Sequence, residues 1–221
     1  MKTVRWCFFL LALFCFNALF AQEELGSGLL LPRFEQGIVN FKNGTRSTAL
    51  FNYNMITQQM VFLEADSTVM AIANPLNVLV VTIGDRKFVP ISSQGDFYEE
   101  IPAGNGVFFV KRRAILLSQG KAAGYGGYSQ TSSVTSYGSW NDNMGSYTKL
   151  KPDEKFRLKT ECTYYLLSGK TYKRFFSSKT LGKLFKGHES EIEKFANEHA
   201  IDFSKVEDVV RIVEYGFGLN S

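Results

Sequence analysis

The dipeptide Asn43-Gly44 stands between two short β-patterned runs, Ile38 to Phe41 and Thr45 to Asn52, and it limits the possible folds more than any other feature of the chain. Asn and Gly tolerate the positive φ angles of a tight turn, so the pair predicts an antiparallel hairpin and fixes its register. The same grammar then repeats. Gln59 to Leu63 and Val69 to Ile72 bracket Asp66-Ser67, and Val78 to Ile83 and Lys87 to Ile91 bracket Gly84-Asp85-Arg86. Phe97 to Ile101 and Gly106 to Leu117 continue the series, and no helix-period stripe interrupts it between Glu35 and Leu117. The run Val78-Leu79-Val80-Val81 is apolar on both faces and predicts a central strand, whereas Pro75 and Pro90 lack ladder donors and belong at strand ends or edges.

Further along, Phe156, Leu158, Thr160, Cys162, Tyr164 and Leu166 alternate with Arg157, Lys159, Glu161 and Thr163, which predicts one long half-buried strand over Glu154 to Leu167. Ser168-Gly169 turns it into Lys170 to Phe176. The period then changes from two to about 3.6. Leu181, Leu184 and Phe185 begin a short helix that Gly187 ends, and Ile192, Phe195, Ala196 and His199 mark a second. Ser204 and Glu207 match a capping box opening a third, with Val206, Val209, Val210, Val213 and Phe217 as its apolar stripe. That stripe is expected to dock on the sheet, because the opposite face lacks the Lys/Arg enrichment of an anionic-membrane binder.

These patterns predict an α+β protein. An antiparallel β-meander over residues 35–176 forms a strongly curved or barrel-like sheet, since a sheet of this many strands does not stay flat. The amphipathic helices of residues 177–221 pack on it.

The N-terminal residues point to export. Lys2 and Arg5 precede an apolar run from Cys7 to Phe16, and Asn17 to Ala21 forms a more polar exit ending in a small residue, the layout of a secretory signal peptide over 1–21. The run is too short to span a bilayer, and residues 22–34 begin a polar, extended segment. Neither Cys7, after Trp6, nor Cys15, after Phe14, fits lipoprotein processing. Without Lys2 and Arg5 the 25 basic residues become 23 against 21 acidic ones, a net charge of +2 that gives no reason to invoke nucleic acid. Cys162 alone of the three cysteines then remains, so stability rests on packing, with Cys162 a small core residue. A periplasmic or extracellular location, peripheral to the outer membrane, is the corresponding expectation, with no transmembrane span in the mature chain.

Residues 120–147 hold six Gly, six Ser and four Tyr but only two charged residues, Lys121 and Asp142, and predict a long loop. Its aromatics Tyr125, Tyr128, Tyr137, Trp140 and Tyr147 are candidate contacts for a protein or glycan partner; a surface insertion that binds nothing is the alternative.

Tests for catalytic chemistry fail. His188-Glu189 is followed by Ile192 where a zinc pair needs its second histidine, so no metal site is expected. Gly124, Gly126 and Gly127 precede no helix or phosphate-binding lysine, and Gly127-Tyr128-Ser129-Gln130-Thr131 lacks the second glycine of a nucleophile elbow. Glu99-Glu100 point to opposite sides of a strand and Glu23-Glu24 lie in the polar segment, so both read as surface charge rather than a glycosidase pair. No cofactor is expected.

The stretches Phe51 to Met55, Gln59 to Phe62, Val78 to Gly84 with Lys87 to Pro90, and Gly120 to Gly127 resemble a group of small exported proteins of Bacteroidota with no established activity. Leu184-Phe185, Ile192 to Phe195, Ile201 to Phe203 and Val209 to Tyr215 resemble the helical tail of many exported proteins of the same bacteria. The resemblance transfers no catalytic residue. In such bacteria Asp66-Ser67-Thr68 resembles a periplasmic O-glycosylation acceptor, with Ser67 as the modified residue, and the sequon at Asn43-Gly44-Thr45 would be incidental. Three functions follow in order: a non-enzymatic binding or accessory module of the cell envelope, with a protein, glycan or lipid partner; a carrier of an apolar ligand in a cavity of the curved sheet; and an enzyme whose site is not visible in sequence.

Overall fold

The computed structural model describes residues 28–122, 128–129 and 154–219. The strands are β1 (Glu35–Phe41), β2 (Arg46–Asn54), β3 (Gln59–Leu63), β4 (Val69–Ala71), β5 (Val78–Ile83), β6 (Arg86–Pro90), β7 (Phe97–Ala103), β8 (Gly106–Ala122), β9 (Tyr128–Ser129), β10 (Glu154–Ser168) and β11 (Thr171–Phe175). They form one sheet in the order β11-β10-β8-β7-β6-β5-β1-β2-β3-β4, with β9 paired to β8. Every neighbouring pair is antiparallel.

The turns behave as their residues dictate. Gly44 takes φ +85°, and the Asn43 carboxamide oxygen accepts from Thr45 N at 3.0 Å and Thr45 Oγ1 at 2.7 Å, which locks the β1–β2 hairpin. Ile83 pairs with Arg86, so the β5–β6 turn is Gly84-Asp85 alone, with Gly84 at φ +56°. The meander departs from chain order at β10, which pairs with β8 rather than β9, and at β5, which pairs with β1 instead of β4. Residues 72–77, which include a 3₁₀ turn over Pro75–Asn77, therefore return past β3, β2 and β1 as a strap.

Two expectations are corrected here. The sheet is not closed or strongly curled into a barrel, because among the described residues β4 and β11 each have a single partner strand and form its two edges. Closure is unnecessary because helices cover the inner face at the β11 end, burying apolar surface that a barrel would bury against its own far wall. The run Val78 to Val81 is central but not buried on both faces. Asn40 faces Val80 and Phe41 faces Val78, which leaves Leu79 as the extra residue of a bulge, 56% exposed, while Val78 and Val81 are fully buried.

The helices are α1 (Ser178–Gly182), α2 (Glu189–Glu198) and α3 (Val206–Leu219). Leu181, Phe185, Ile192, Ala196, Val209, Ile212 and Val213 bury themselves with Phe108, Val110, Tyr164, Leu166 and Phe175 of β8, β10 and β11, which is the first of two apolar clusters. Contact is close enough to require glycine: a Cβ on Gly216 of α3 would lie 2.6 Å from the Phe185 ring, and one on Gly106 of β8 would lie 2.4 Å from the Phe217 ring. Ser204 and Glu207 do not form the expected capping box. The turn that leads into α3 is instead held by two carboxylates: Asp208 accepts from Asp202 N at 3.1 Å and Asp202 accepts from Ser204 N at 2.8 Å. A reciprocal box does form at α1, between Ser177 and Thr180. Among the described residues no helix is long and apolar enough to cross a membrane.

The second cluster gathers Val39, Phe51, Tyr53, Met60, Val78, Val81, Ile83, Phe88 and Phe97 from β1 to β7, with Leu31 and Met55. Residues 28–34 are tied to this part by Asn52, which is fully buried and fully used. Its oxygen accepts from Leu31 N and Tyr53 N at 3.0 and 2.8 Å, and its amide donates to Leu31 O and Arg33 O at 2.9 and 3.1 Å.

Candidate functional site

The inner face is covered by helices at one end only. At the β4 end Phe51 pairs with Phe62 and Phe62 with Met70, so three neighbouring strands present apolar side chains in one row. Residues 72–77 cross in front of them. The space between strap and strands is a cleft of about 830 Å³, with Val39, Phe41, Ala49, Phe51, Phe62, Met70 and Ile72 as its apolar lining. Polar residues lie at the β1–β2 turn and on the strap: Lys42, Asn43, Thr45, Ser47, Asn74 and Asn77.

Ile72 N donates to Met60 O at 3.1 Å where the strap leaves β4, and two further contacts hold it in place. Lys42 N donates to Asn77 O at 2.9 Å, and Gly95, at φ +84°, packs so tightly on Pro75 that a Cβ there would lie 2.4 Å from the proline ring. The cleft therefore keeps its shape through backbone geometry rather than through a filled interior. Its volume falls within the usual range for sites that bury one small ligand, and its apolar lining with a few polar groups matches their usual composition.

A second concentration of chemistry lies between the two apolar clusters. Glu99 of β7, only 6% exposed, accepts from Arg86 Nε at 2.6 Å and Arg112 Nε at 2.5 Å, and Arg112 Nη1 reaches Cys162 Sγ at 3.7 Å. Burial alone pushes the Glu99 carboxyl up, but the hydrogen bonds and charges of the two arginines outweigh it and hold it below the ordinary carboxylate range. Burial pushes the Cys162 thiol up against the opposing pull of Arg112, so the sulfur is a poor nucleophile. The reading of Glu99 as surface charge is thus wrong: Glu99 faces inward with Phe97 and Ile101, while Glu100 lies with Lys87, 3.8 Å away, on the other face. Two arginines share the one buried carboxylate, and the row has the character of a structural seam.

The sequence-derived candidates fall elsewhere. Tyr125, Tyr137, Trp140 and Tyr147 lie outside the described residues. Tyr128 belongs to β9 and pairs with Ala122 of β8. Ser67 is exposed at the β3–β4 turn with φ +67°, and Asp66 beside it accepts from Thr68 N at 2.9 Å. Two aromatic pairs lie on the outer face of the sheet, where Tyr98 and Tyr165 lie 5.0 Å apart between ring centroids and Phe109 meets Tyr172 edge-on at 5.0 Å. The cleft was not legible as a site. Its residues are ordinary strand residues, and only the pairing of β5 with β1 brings the strap across them.

No protein-family model, curated protein or solved structure matches the chain, which leaves the geometry and chemistry of the cleft as the ground for a functional reading.

Proposed function

We propose that the protein is a non-enzymatic binding protein of the cell envelope that holds an apolar or amphiphilic small molecule in the cleft between the strap and strands β1 to β4. The cleft itself carries the reading: about 830 Å³ of space with an apolar lining, at the one end of the inner face that no described helix covers. Exposing Phe62, Met70 and Ile72 to water is unfavourable by about 25 cal/mol for each Å² of apolar surface, and a ligand that covers them recovers that free energy. The reading agrees with the export expected from residues 1–21, since an exported envelope protein meets lipids and other amphiphiles. The seam at Glu99 favours no catalytic alternative, because its carboxylate is neutralised by two arginines and its thiol is raised.

The test is organic extraction of protein purified from its native envelope, with mass spectrometry of the extract. A near-stoichiometric amphiphile is expected, and it should be absent from an Ala49→Phe variant, whose ring would occupy the cleft floor. Recovery of equal amounts from the two proteins, or of none from either, would overturn the reading.

A further inference from the structure

The distribution of charge around the cleft carries the reading one step further. Among the described residues Lys42 is its one charged lining residue, and no carboxylate lines it. The sequence reinforces this: between Glu35 and Asp85 the acidic residues are Glu64 and Asp66 alone, both at the β3–β4 turn and neither lining the cleft. Lys42 makes no ion pair among the described residues, in contrast to Arg86 and Arg112, which both pair with Glu99, and Lys111, which pairs with Asp96.

Two donors stand next to each other at this turn. The Asn43 carboxamide oxygen is occupied by Thr45 N and Thr45 Oγ1, which leaves the Asn43 amide hydrogens to donate to a ligand together with the Lys42 ammonium. Lys42 N and Asn77 O are already joined, which brings the turn and the strap together at this polar margin. An anionic head group would pair with the ammonium and accept from its neighbour, which a neutral one cannot do as strongly.

We infer that the ligand is an anionic amphiphile of the fatty-acid type, its aliphatic part against Phe51, Phe62 and Ile72 and its acidic head at Lys42 and Asn43. This rests on the ligand-binding reading above. The inference concerns the head, and the test separates the two.

Equilibrium dialysis of the purified full chain with radiolabelled palmitate and with hexadecanol, above neutral pH and at low ionic strength, provides the comparison. Palmitate is expected to bind about tenfold more tightly than hexadecanol, a preference that added salt weakens. Lys42→Gln should lower palmitate affinity to the hexadecanol level and leave hexadecanol unchanged, and Lys42→Arg should keep the preference. Lys42 is exposed on a turn, so these variants fold. Equal affinity for the two probes with Lys42→Gln silent would overturn the anionic head and leave the cleft reading standing. Failure of both probes to bind, or binding unaffected by Ala49→Phe, would overturn the cleft reading and with it the inference.

Discussion

Arg112 donates from Nε to Glu99 Oε2 at 2.5 Å on the inner face of the sheet, at the boundary between its two apolar clusters. Toward the helices the neighbouring inward residues are Ile101, Phe108 and Val110, and toward the cleft they are Phe88, Phe97 and Ala114. A charged pair costs desolvation that an apolar pair would not, so its contribution is to register: a one-residue slip of β7 against β8 would put Glu99 on the outer face and leave Arg112 unpaired.

Glu99→Gln is expected to destabilise the fold by about 3 kcal/mol, the low end of the range for breaking a buried pair, because Arg86 is exposed enough to regain some water. The pH dependence follows from the sign of the shift. A carboxyl held below its ordinary value stabilises the fold fully above the unfolded value of about 4.3, and that contribution is lost as pH falls through the folded value. Urea denaturation from neutral pH down to acid should show a loss in the native protein that is reduced in Glu99→Gln, and parallel curves would exclude Glu99 as its source.

Asn52→Leu is expected to release residues 28–34. Three backbone groups of this segment, Leu31 N, Leu31 O and Arg33 O, lose their partner, at about 1–3 kcal/mol for each that stays buried and unpaired. Amide hydrogen exchange would show faster exchange at Leu31 than in the native protein, and unchanged exchange there would show that other contacts hold the segment.

The limits of the sequence are physical ones. Asn43-Gly44, Asp66-Ser67 and Gly84-Asp85 mark their turns because backbone conformation is a local property, and the alternation through Cys162, Tyr164 and Leu166 marks β10 for the same reason. What local pattern does not encode is which strands become neighbours. The pairing of β1 with β5 joins residues some 40 positions apart, and the strap, the bulge at Leu79 and the cleft all follow from it. Glu99 was misread on the same ground, since its partners Arg86 and Arg112 each lie 13 residues away on other strands. At α3 a capping pattern is present at Ser204 and Glu207, but the turn before the helix is held by the carboxylates of Asp202 and Asp208, which are stronger acceptors than a serine hydroxyl.

Gly216→Ala tests the helix packing. The added Cβ would lie 2.6 to 2.9 Å from three atoms of the Phe185 ring, which is fixed in the core and edge-on to Phe217 at 5.4 Å. Although alanine favours helix, overpacking of about 1–3 kcal/mol should outweigh the gain of about 1 kcal/mol in propensity. A lowered denaturation midpoint is expected, partly restored by Phe185→Leu in the double variant; additive losses would show that the ring is not the obstacle.

Gly95→Ala addresses the strap without touching the cleft lining. Gly95 has φ +84°, and a Cβ there would lie 2.4 and 2.9 Å from the Pro75 ring, so the substitution adds backbone strain of about 1 kcal/mol and pushes the proline away. Pro75 opens the 3₁₀ turn that ends at Asn77, whose carbonyl accepts from Lys42 N. Displacement at Pro75 should therefore loosen the polar margin of the cleft while the helices, packed on the opposite end of the sheet, stay docked. The expected outcome is faster amide exchange at Lys42 and Asn77 and weaker retention of a bound amphiphile, with α2 and α3 exchanging as in the native protein. Faster exchange at Lys42 with unchanged retention would show that ligand binding does not depend on the strap, whereas uniform acceleration across the helices would show global destabilisation instead of a local opening.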